Sequence, residues 1–357
     1  MATGDKGKLR VGIIFGGMSS EREVSLESGR NIFNKIDRAK YEPVPIFMDS
    51  RGKFWEITLK LLMRNSTRDI EEDLETEGTR LLYEVLKDRV DVNCLGLHGK
   101  YGEDGCVQGM MELLDIPYTG SGVLASALGM DKYQGRKLLA INGIDVPATR
   151  PITSRDWGEA KDRSALLKSV GDELGFPCIV KPAREGCSTA VAKVLTADAL
   201  PAAVDEALKW DSMALVEELI TGTEVTCGVI DYEGSPLALT PSETIPSAGI
   251  LSLEDKFLYG QGENKTPARL PEEILQKIQE TAVKTFLALD LKGYARIDMF
   301  VRTGGGVTVL EPNTLPGLTP STVLFHQAAA SGITPADLID RIIMSAMSIH
   351  AGKKGPL

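Results

Sequence analysis

No CxxC pair and no HExxH occurs in the sequence, and its three histidines, His98, His326 and His350, share no zinc-ligand spacing. That argues against a zinc site. The five cysteines, Cys94, Cys106, Cys178, Cys187 and Cys227, are odd in number, and most sit inside apolar runs, so they read as reduced core residues. No run approaches the ~18–20 apolar residues of a membrane span, and the opening MATGDKGKLR has no apolar signal core. Positive charge is also short. With 40 Lys and Arg against 50 Asp and Glu, the net charge of −10 argues against nucleic-acid or membrane partners. The expected compartment is the cytoplasm, and an anionic substrate has to be met by local cations. There is no internal repeat or low-complexity tract, and 357 residues allow two or three domains.

What the chain does hold is organised around 293–313, GYARIDMFVRTGGGVTVLEPN. Two β-prone runs, 294–302 and 307–313, flank Thr303-Gly304-Gly305-Gly306, a hairpin signal. With a four-residue loop, Asp298 lies opposite Glu311 and Arg296 opposite Asn313, all on one face because side chains alternate along a strand. Two carboxylates ~4 Å apart repel by on the order of 4 kcal/mol at an effective dielectric of about 20. A divalent cation reverses the sign, and two carboxylates with an Asn oxygen suit a hard ion such as Mg²⁺, which keeps positions for water and phosphate oxygens. The competing reading pairs Asp298 with Arg296 or other cations and leaves Glu311 as the end of a strand. The rigid turn Pro312-Asn313-Thr314-Leu315-Pro316-Gly317 favours the metal, since it sets backbone N–H groups beside it.

Residues 9–15 are apolar without alternation, as in a strand buried on both faces of a parallel sheet. Gly16-Gly17 and a helical pattern follow. Ser20 and Glu23 fit a capping box, with Val24, Ile32, Phe33 and Ile36 inward. Strand, glycine turn and helix start form an anion-friendly constellation; Glu21 there answers the helix dipole or binds a substrate ammonium. Residues 43–48 read as a strand, 49–79 as a surface insertion of modest order, 81–86 as helix, and 90–97 as a strand leading into the glycine-dense loop 98–105. Open α/β sheets place ligands after such strands, although a lone loop histidine such as His98 is more often bonded to backbone. A helix from Cys106, a linker over 117–122 and a helical pattern over 125–141 come next.

A buried strand over 176–181 ends in Lys181, and the small-residue loop 182–190 precedes a strand over 191–195. Free N–H groups after such a lysine suit a polyphosphate; the plainer alternative is an ordinary hairpin. Residues 213–216 form a strand ending at Glu217-Glu218, and 225–231 another. The long connection 242–269, with Asp255-Lys256-Phe257, has the length of a lid. Residues 271–289 read as a helix with Ile274, Ile278, Val283, Phe286 and Leu287 as its stripe, and two helices over 322–330 and 336–347 close the chain.

The segments FGGMSSEREVSL, LHGKYGEDGCVQGMMELLDIPYTGSGVLASALGMDK, IVKPAREGCSTAVAKV and GYARIDMF…LEPNTLPGLT, in this order and over nearly the whole chain, resemble the D-alanine:D-alanine ligases of the ATP-grasp superfamily. The resemblance implies an α/β fold in three domains: an N-terminal Rossmann-like (pre-ATP-grasp) substrate domain over 1–120, a central ATP-grasp subdomain over 121–217 and a C-terminal ATP-grasp subdomain over 218–357. It implies that ATP phosphorylates the carboxylate of one D-alanine and that the amine of a second attacks the acyl phosphate, for peptidoglycan synthesis. Members are usually homodimers. By motif position, Asp298, Glu311 and Asn313 hold two Mg²⁺ ions, with Mn²⁺ as an alternative. Lys132, Lys181 and the loop residues Glu185, Gly186, Cys187 and Ser188 embrace the phosphates of ATP, with Lys256 of the lid closing over them. Glu217 reads the adenine and Glu224 the ribose, with Glu218 and Ile220 in the same nucleotide site. Glu21 binds the first ammonium with His98 near the carboxylate, while Arg296 and the Gly317 N–H stabilise the tetrahedral oxyanion.

Four positions depart from the family pattern around the second substrate. Cys187 stands where the glycine-rich loop has Ser, and Phe257 where the lid has Tyr; in typical members that Ser and Tyr form a hydrogen-bonded triad with the glutamate at Glu21. Pro312 interrupts the pattern Glu-Ala-Asn. Thr322 takes the place of the Ser that binds the second carboxylate and keeps its hydroxyl. A Phe lid goes with ligases that accept D-lactate, and a lost hydroxyl contact is worth about 0.5–1.5 kcal/mol, so D-lactate or D-serine is the alternative acceptor. Cys187 reads as a small packing residue whose N–H meets phosphate, ahead of a redox role. A catalytically silent ATP-binding relative is the reading from another class; intact Lys132, Lys181, Arg296, Asp298, Glu311 and Asn313 count against it.

Overall fold

A computed structural model describes residues 7–159, 163–186, 189–232, 234–245 and 263–352. Cys187, Ser188, Lys256 and Phe257, with the roles expected of them, lie outside the described residues. The apolar run at the start forms β1 (Leu9–Gly16), in which Val11, Ile13, Ile14 and Phe15 have no exposed surface. The first layer continues as α1 (Arg22–Lys35), β2 (Tyr41–Met48), β3 (Phe54–Glu56), α2 (Leu59–Leu62), α3 (Thr67–Glu77), β4 (Thr79–Leu81), α4 (Leu86–Arg89) and β5 (Val92–Leu95), with strand order β4-β3-β2-β1-β5. β2 and β5 run parallel to β1 on either side, which is why β1 is apolar without alternation. α1 packs closely on it because Gly29 has no side chain: a Cβ there would stand 2.5 Å from the Phe15 ring.

Several local expectations are corrected here. Residues 49–79 form an ordered part of this layer: Trp55, Leu61, Leu62, Ile70 and Leu74 are buried, Trp55 donates to Asp49 at 3.0 Å, and α3 starts on a reciprocal capping box between Ser66 and Asp69. Its buried residues are spread over elements too short to show a period. Glu21, not Ser20, is the N-cap of α1, and Glu23 turns to the Thr67 N–H at 3.2 Å. The expected helix over 81–86 is the end of β4, a 3₁₀ turn and the first residue of α4. The segment 117–122 is no open linker: Tyr118 bridges Asn93 in parallel, and Thr119 and Ser121 are fully buried.

α5 (Cys106–Leu113), α6 (Val123–Met130) and α7 (Lys132–Ile141) follow. The single helical pattern over 125–141 is broken at Asp131, whose side chain accepts the Tyr133 and Gln134 N–H groups and so starts a new helix at Lys132. The second sheet is antiparallel. It is built from β6 (Thr149–Thr153), β7 (Cys178–Pro182), β8 (Ala192–Val194) and β9 (Met213–Glu218) in the order β6-β9-β7-β8, under α8 (Ser154–Glu159), α9 (Arg163–Leu174) and α10 (Leu200–Trp210).

The third sheet holds β10 (Gly222–Tyr232), β11 (Ser235–Ala238), β12 (Ser242–Ile245), β13 (Glu263–Lys265), β14 (Tyr294–Arg302) and β15 (Val307–Asn313), ordered β13-β12-β10-β14-β15 with β11 on β10. The connection read as irregular has paired ends, since β12 and β13 are antiparallel neighbours. α11 (Glu272–Ala288) covers this sheet with Ile278, Ala282, Thr285 and Phe286, whereas Leu287 of the expected stripe is 61% exposed. α12 (Val323–Ala330) and α13 (Pro335–Ala351) close the chain, and their apolar faces join the core of the first layer. Ala125, Leu139 and Ile144, around α6 and α7, share a core with the third sheet.

Candidate active site

The central hairpin forms as read, with one difference in its tip. Arg302 N–H donates to the Gly306 carbonyl at 2.8 Å and Val301 faces Val307, so the tip is shorter by one residue than the four expected. That register alone would set Asp298 against Leu310 and turn Glu311 to the other face. Leu310 bulges out instead, and pairing resumes with Asp298 opposite Glu311 and Arg296 opposite Asn313. Arg136 Nε holds the bulged carbonyl at 2.9 Å.

Asp298 is 7% exposed, and among the described residues four donor atoms hold its carboxylate. Arg296 donates Nε to Oδ1 and Nη2 to Oδ2, both at 2.8 Å; Thr226 Oγ1 donates to Oδ1 at 2.7 Å and Asn313 Nδ2 to Oδ2 at 3.0 Å. The pairing of Asp298 with Arg296 is therefore present, and Glu311 meets Lys132 Nζ at 3.1 Å. These cations offset the repulsion between the two acids. Among the described residues no group of three or more His, Cys, Asp and Glu side chains could by itself hold a metal ion. The donor set is thus two carboxylates and one amide, all hard oxygens, which fits Mg²⁺ or Mn²⁺ rather than zinc.

One cleft is lined by Glu21, His98, Lys132 and Gly186. Arg296, Glu311, Asn313 and Gly317 line it too. Lys132, first residue of α7, also donates Nζ to the Glu185 carbonyl at 2.7 Å, and Lys100 of the first layer pairs with the Glu185 carboxylate. A Cβ on Gly186 would fall inside contact distance of Glu21 Oε1, so a larger residue there would displace the Glu21 carboxylate. His98 is buried between Ser28 and the Leu315 carbonyl, so the bonded-histidine reading holds while the ring still lines the cleft. Among the described residues the Gly317 N–H meets no acceptor.

The residues expected at the nucleotide divide by strand alternation at the end of β9. Glu217 is 3% exposed, and its carboxylate lies between Arg136 and Lys181, the latter at 3.0 Å. Burial pushes the Glu217 carboxyl up, but Arg136 and Lys181 overcome this and hold it below the usual carboxylate range. Burial pushes the Lys181 ammonium down to about 8, with Glu217 opposing and Arg136 reinforcing the fall. Glu218 faces the other way: Arg302 Nη2 donates to it at 2.7 Å, and it accepts the Ala148 N–H at 3.0 Å. Its side chain is thus committed away from Glu217. Ile220 is buried at 7% exposure, and Glu224 sits on β10 opposite Phe300. Thr322 is the buried N-cap of α12.

Arg136, Thr226, Ser28 and Asn31 escaped the sequence reading. Arg136 alone had a local signal, since it follows Lys132 by four residues and so shares its face of α7.

Two antiparallel sheets enclosing lysines and carboxylates, with a Rossmann-like layer of mixed strand direction against them, define an ATP-grasp enzyme. The family profile described as D-ala D-ala ligase N-terminus matches residues 10–121, and that described as D-ala D-ala ligase C-terminus matches 138–344. A D-alanine–D-alanine ligase of Geobacillus thermodenitrificans (strain NG80-2) is 35% identical, over 97% of this chain and 98% of its own. Among solved structures, the VanG D-Ala:D-Ser ligase from Enterococcus faecalis aligns with a TM-score of 0.81 and 30% identity over 95% of this chain and 100% of that one. The D-alanine–D-alanine ligase from Bacillus anthracis complexed with ATP aligns at 0.74 and 33% over 96% and 99%. The chain belongs to the D-alanine–D-alanine ligase family.

Proposed function

We propose that this chain is an ATP-dependent ligase that joins two D-alanines through D-alanyl phosphate, releasing ADP and phosphate and supplying dipeptide for peptidoglycan precursors. The observation that carries it is the convergence of Glu21, Lys132, Arg296, Glu311 and the Gly317 N–H on one cleft. An amino acid needs an anion for its ammonium and donors for its carboxylate, and the cleft offers both. Glu21 holds the ammonium of the first D-alanine and so turns its carboxylate toward Arg296 and Gly317. Lys132 and Lys181 bind the phosphates, the charge of which phosphoryl transfer has to spread. Asp298, Glu311 and Asn313 would hold Mg²⁺, which when bound neutralises phosphate charge. When the amine of the second substrate attacks the acyl carbon, Arg296 and the Gly317 N–H meet the tetrahedral oxyanion; one such donor is typically worth about 10²–10³ in rate.

The homodimer and the cytoplasmic location belong to the same proposal; the first rests on the family resemblance, the second on a sequence without a signal core or a membrane-length apolar run. Among the described residues no helix is long and apolar enough to cross a membrane. D-Serine or D-lactate as acceptor is the second reading, favoured by Phe257 in the lid sequence. The test is a ligation assay with Mg²⁺ and ATP, offering D-alanine alone and then with D-lactate or D-serine, at pH 6 and 8, with ADP quantified and products identified by mass. Dipeptide as the main product is the expected result. An ester or mixed dipeptide would replace the acceptor assignment, and no product with any acceptor would overturn the ligase reading in favour of a silent relative.

A further inference from the structure

We infer that Ser28 and Asn31 are positioning residues for the oxyanion donor, gripping the backbone around Gly317 from α1, with His98 as their link. This deepens the ligase reading and rests on it. Asn31 Nδ2 donates to the Leu318 carbonyl at 2.8 Å, and the Leu318 N–H donates to Ser28 Oγ at 3.1 Å. Both polar backbone groups of the residue after Gly317 are thus held by one helix. On the other side of Gly317, the Leu315 carbonyl lies 3.1 Å from His98 Nδ1. A carbonyl only accepts, so in the neutral ring Nδ1 carries the proton and Nε2 is the acceptor. Ser28 Oγ stands 2.8 Å from that Nε2, so its single proton goes to His98 while a lone pair receives the Leu318 N–H.

The bonds form a directed relay, Leu318 N–H to Ser28, Ser28 O–H to His98, His98 N–H to the Leu315 carbonyl. It encircles Pro316 and Gly317, neither of which makes a hydrogen bond of its own among the described residues. Ser28, Asn31 and His98 are 0, 5 and 4% exposed, so water does not compete for these bonds. Glu21 is the N-cap of the same helix. One rigid element therefore carries the ammonium site and sets the height of the N–H that receives the oxyanion, which ties first-substrate binding to transition-state geometry.

Ser28→Ala and Asn31→Ala are each expected to lower kcat about tenfold to a hundredfold through a displaced Gly317 N–H, with the KM for ATP and the folded fraction at assay temperature unchanged. Ser28→Thr, which restores the hydroxyl, recovers most of the rate. The second readout needs no activity. ¹⁵N NMR of the His98 imidazole is expected to show the Nδ1–H tautomer in the unaltered protein and a mixture in Ser28→Ala. Unaltered kcat in both alanine variants, a loss that tracks only the unfolded fraction, or an Nε2–H ring in the unaltered protein would each overturn the inference. Should Ser28→Ala not fold, Asn31→Ala and the tautomer of the unaltered protein still decide it. An unaltered protein that ligates nothing would sink the ligase reading, while the tautomer still reports whether the relay exists.

Discussion

Lys181 Nζ stands 3.0 Å from one oxygen of the Glu217 carboxylate, and Arg136 holds the other. A buried ammonium pushed down to about 8 is half neutral at the pH of many assays. Phosphates favour its charged form. ATP affinity is therefore expected to fall as pH rises through about 8, and ATP binding at about pH 9 is expected to take up a proton while binding at about pH 6.5 takes up none. Calorimetry in two buffers of different ionisation heat reads that proton directly; equal heats at high pH would show that Lys181 does not meet the phosphates. For the protein alone the sign is opposite. Between about 8 and the ordinary lysine value of 10.5 the unfolded chain binds more protons than the folded one, so this group's contribution to stability rises with pH across that window.

Replacing Asp298 by Asn removes the acid that faces Glu311 and leaves Arg296 opposite a neutral amide. Ligation is expected to fall by at least about a hundredfold with the fold kept, and added Mg²⁺ should no longer raise the melting temperature. Unchanged turnover would remove Asp298 from the metal assignment.

At Gly186 the smallest added side chain collides with Glu21. Gly186→Ala is expected to raise the KM for the first D-alanine by roughly tenfold, the equivalent of one weakened contact, with a smaller effect on the KM for ATP. The reverse pattern would assign Gly186 to the nucleotide and not to the amino acid.

Gly29→Ala tests the fold and not the chemistry. A Cβ 2.5 Å from the Phe15 ring forces α1 and β1 apart, and overpacking of this kind costs about 1–3 kcal/mol. In denaturant the midpoint is expected to drop with little change in slope; an unchanged midpoint would mean the Phe15 ring can turn aside.

What was legible in the chain was whatever a short-range rule could carry. Strand alternation with an assumed four-residue tip places Asp298, Glu311, Arg296 and Asn313 on one face of a hairpin; the tip is one residue shorter, and the bulge at Leu310, which no short-range rule announces, restores that face. The opposite facing of Glu217 and Glu218 went unread, since the resemblance puts both at the nucleotide. The first layer's parallel core was readable at β1 because burial on both faces leaves an unbroken apolar run. Residues whose meaning lies in distant partners were not readable. Ser28 and Asn31 look like ordinary polar positions of a helix, and their partner Leu318 lies 290 and 287 residues away. Thr226 meets Asp298 only because β10 runs beside β14. Asp131 was missed for a different reason: a capping side chain inside a long apolar pattern gives no break in periodicity, yet it divides one expected helix into two and sets Lys132 at the cleft.

The bulge at Leu310 makes the hairpin count in two phases. From the glycine tip to Met299 and Val309 the strands keep one phase; from Asp298 and Glu311 onward they keep the other. The acid pair answers only to the second, and Arg136 pins the boundary between them through the Leu310 carbonyl. The boundary separates the geometry of the tip from that of the acid face: Glu311 stays opposite Asp298 although the tip is one residue shorter than an unbroken register would need.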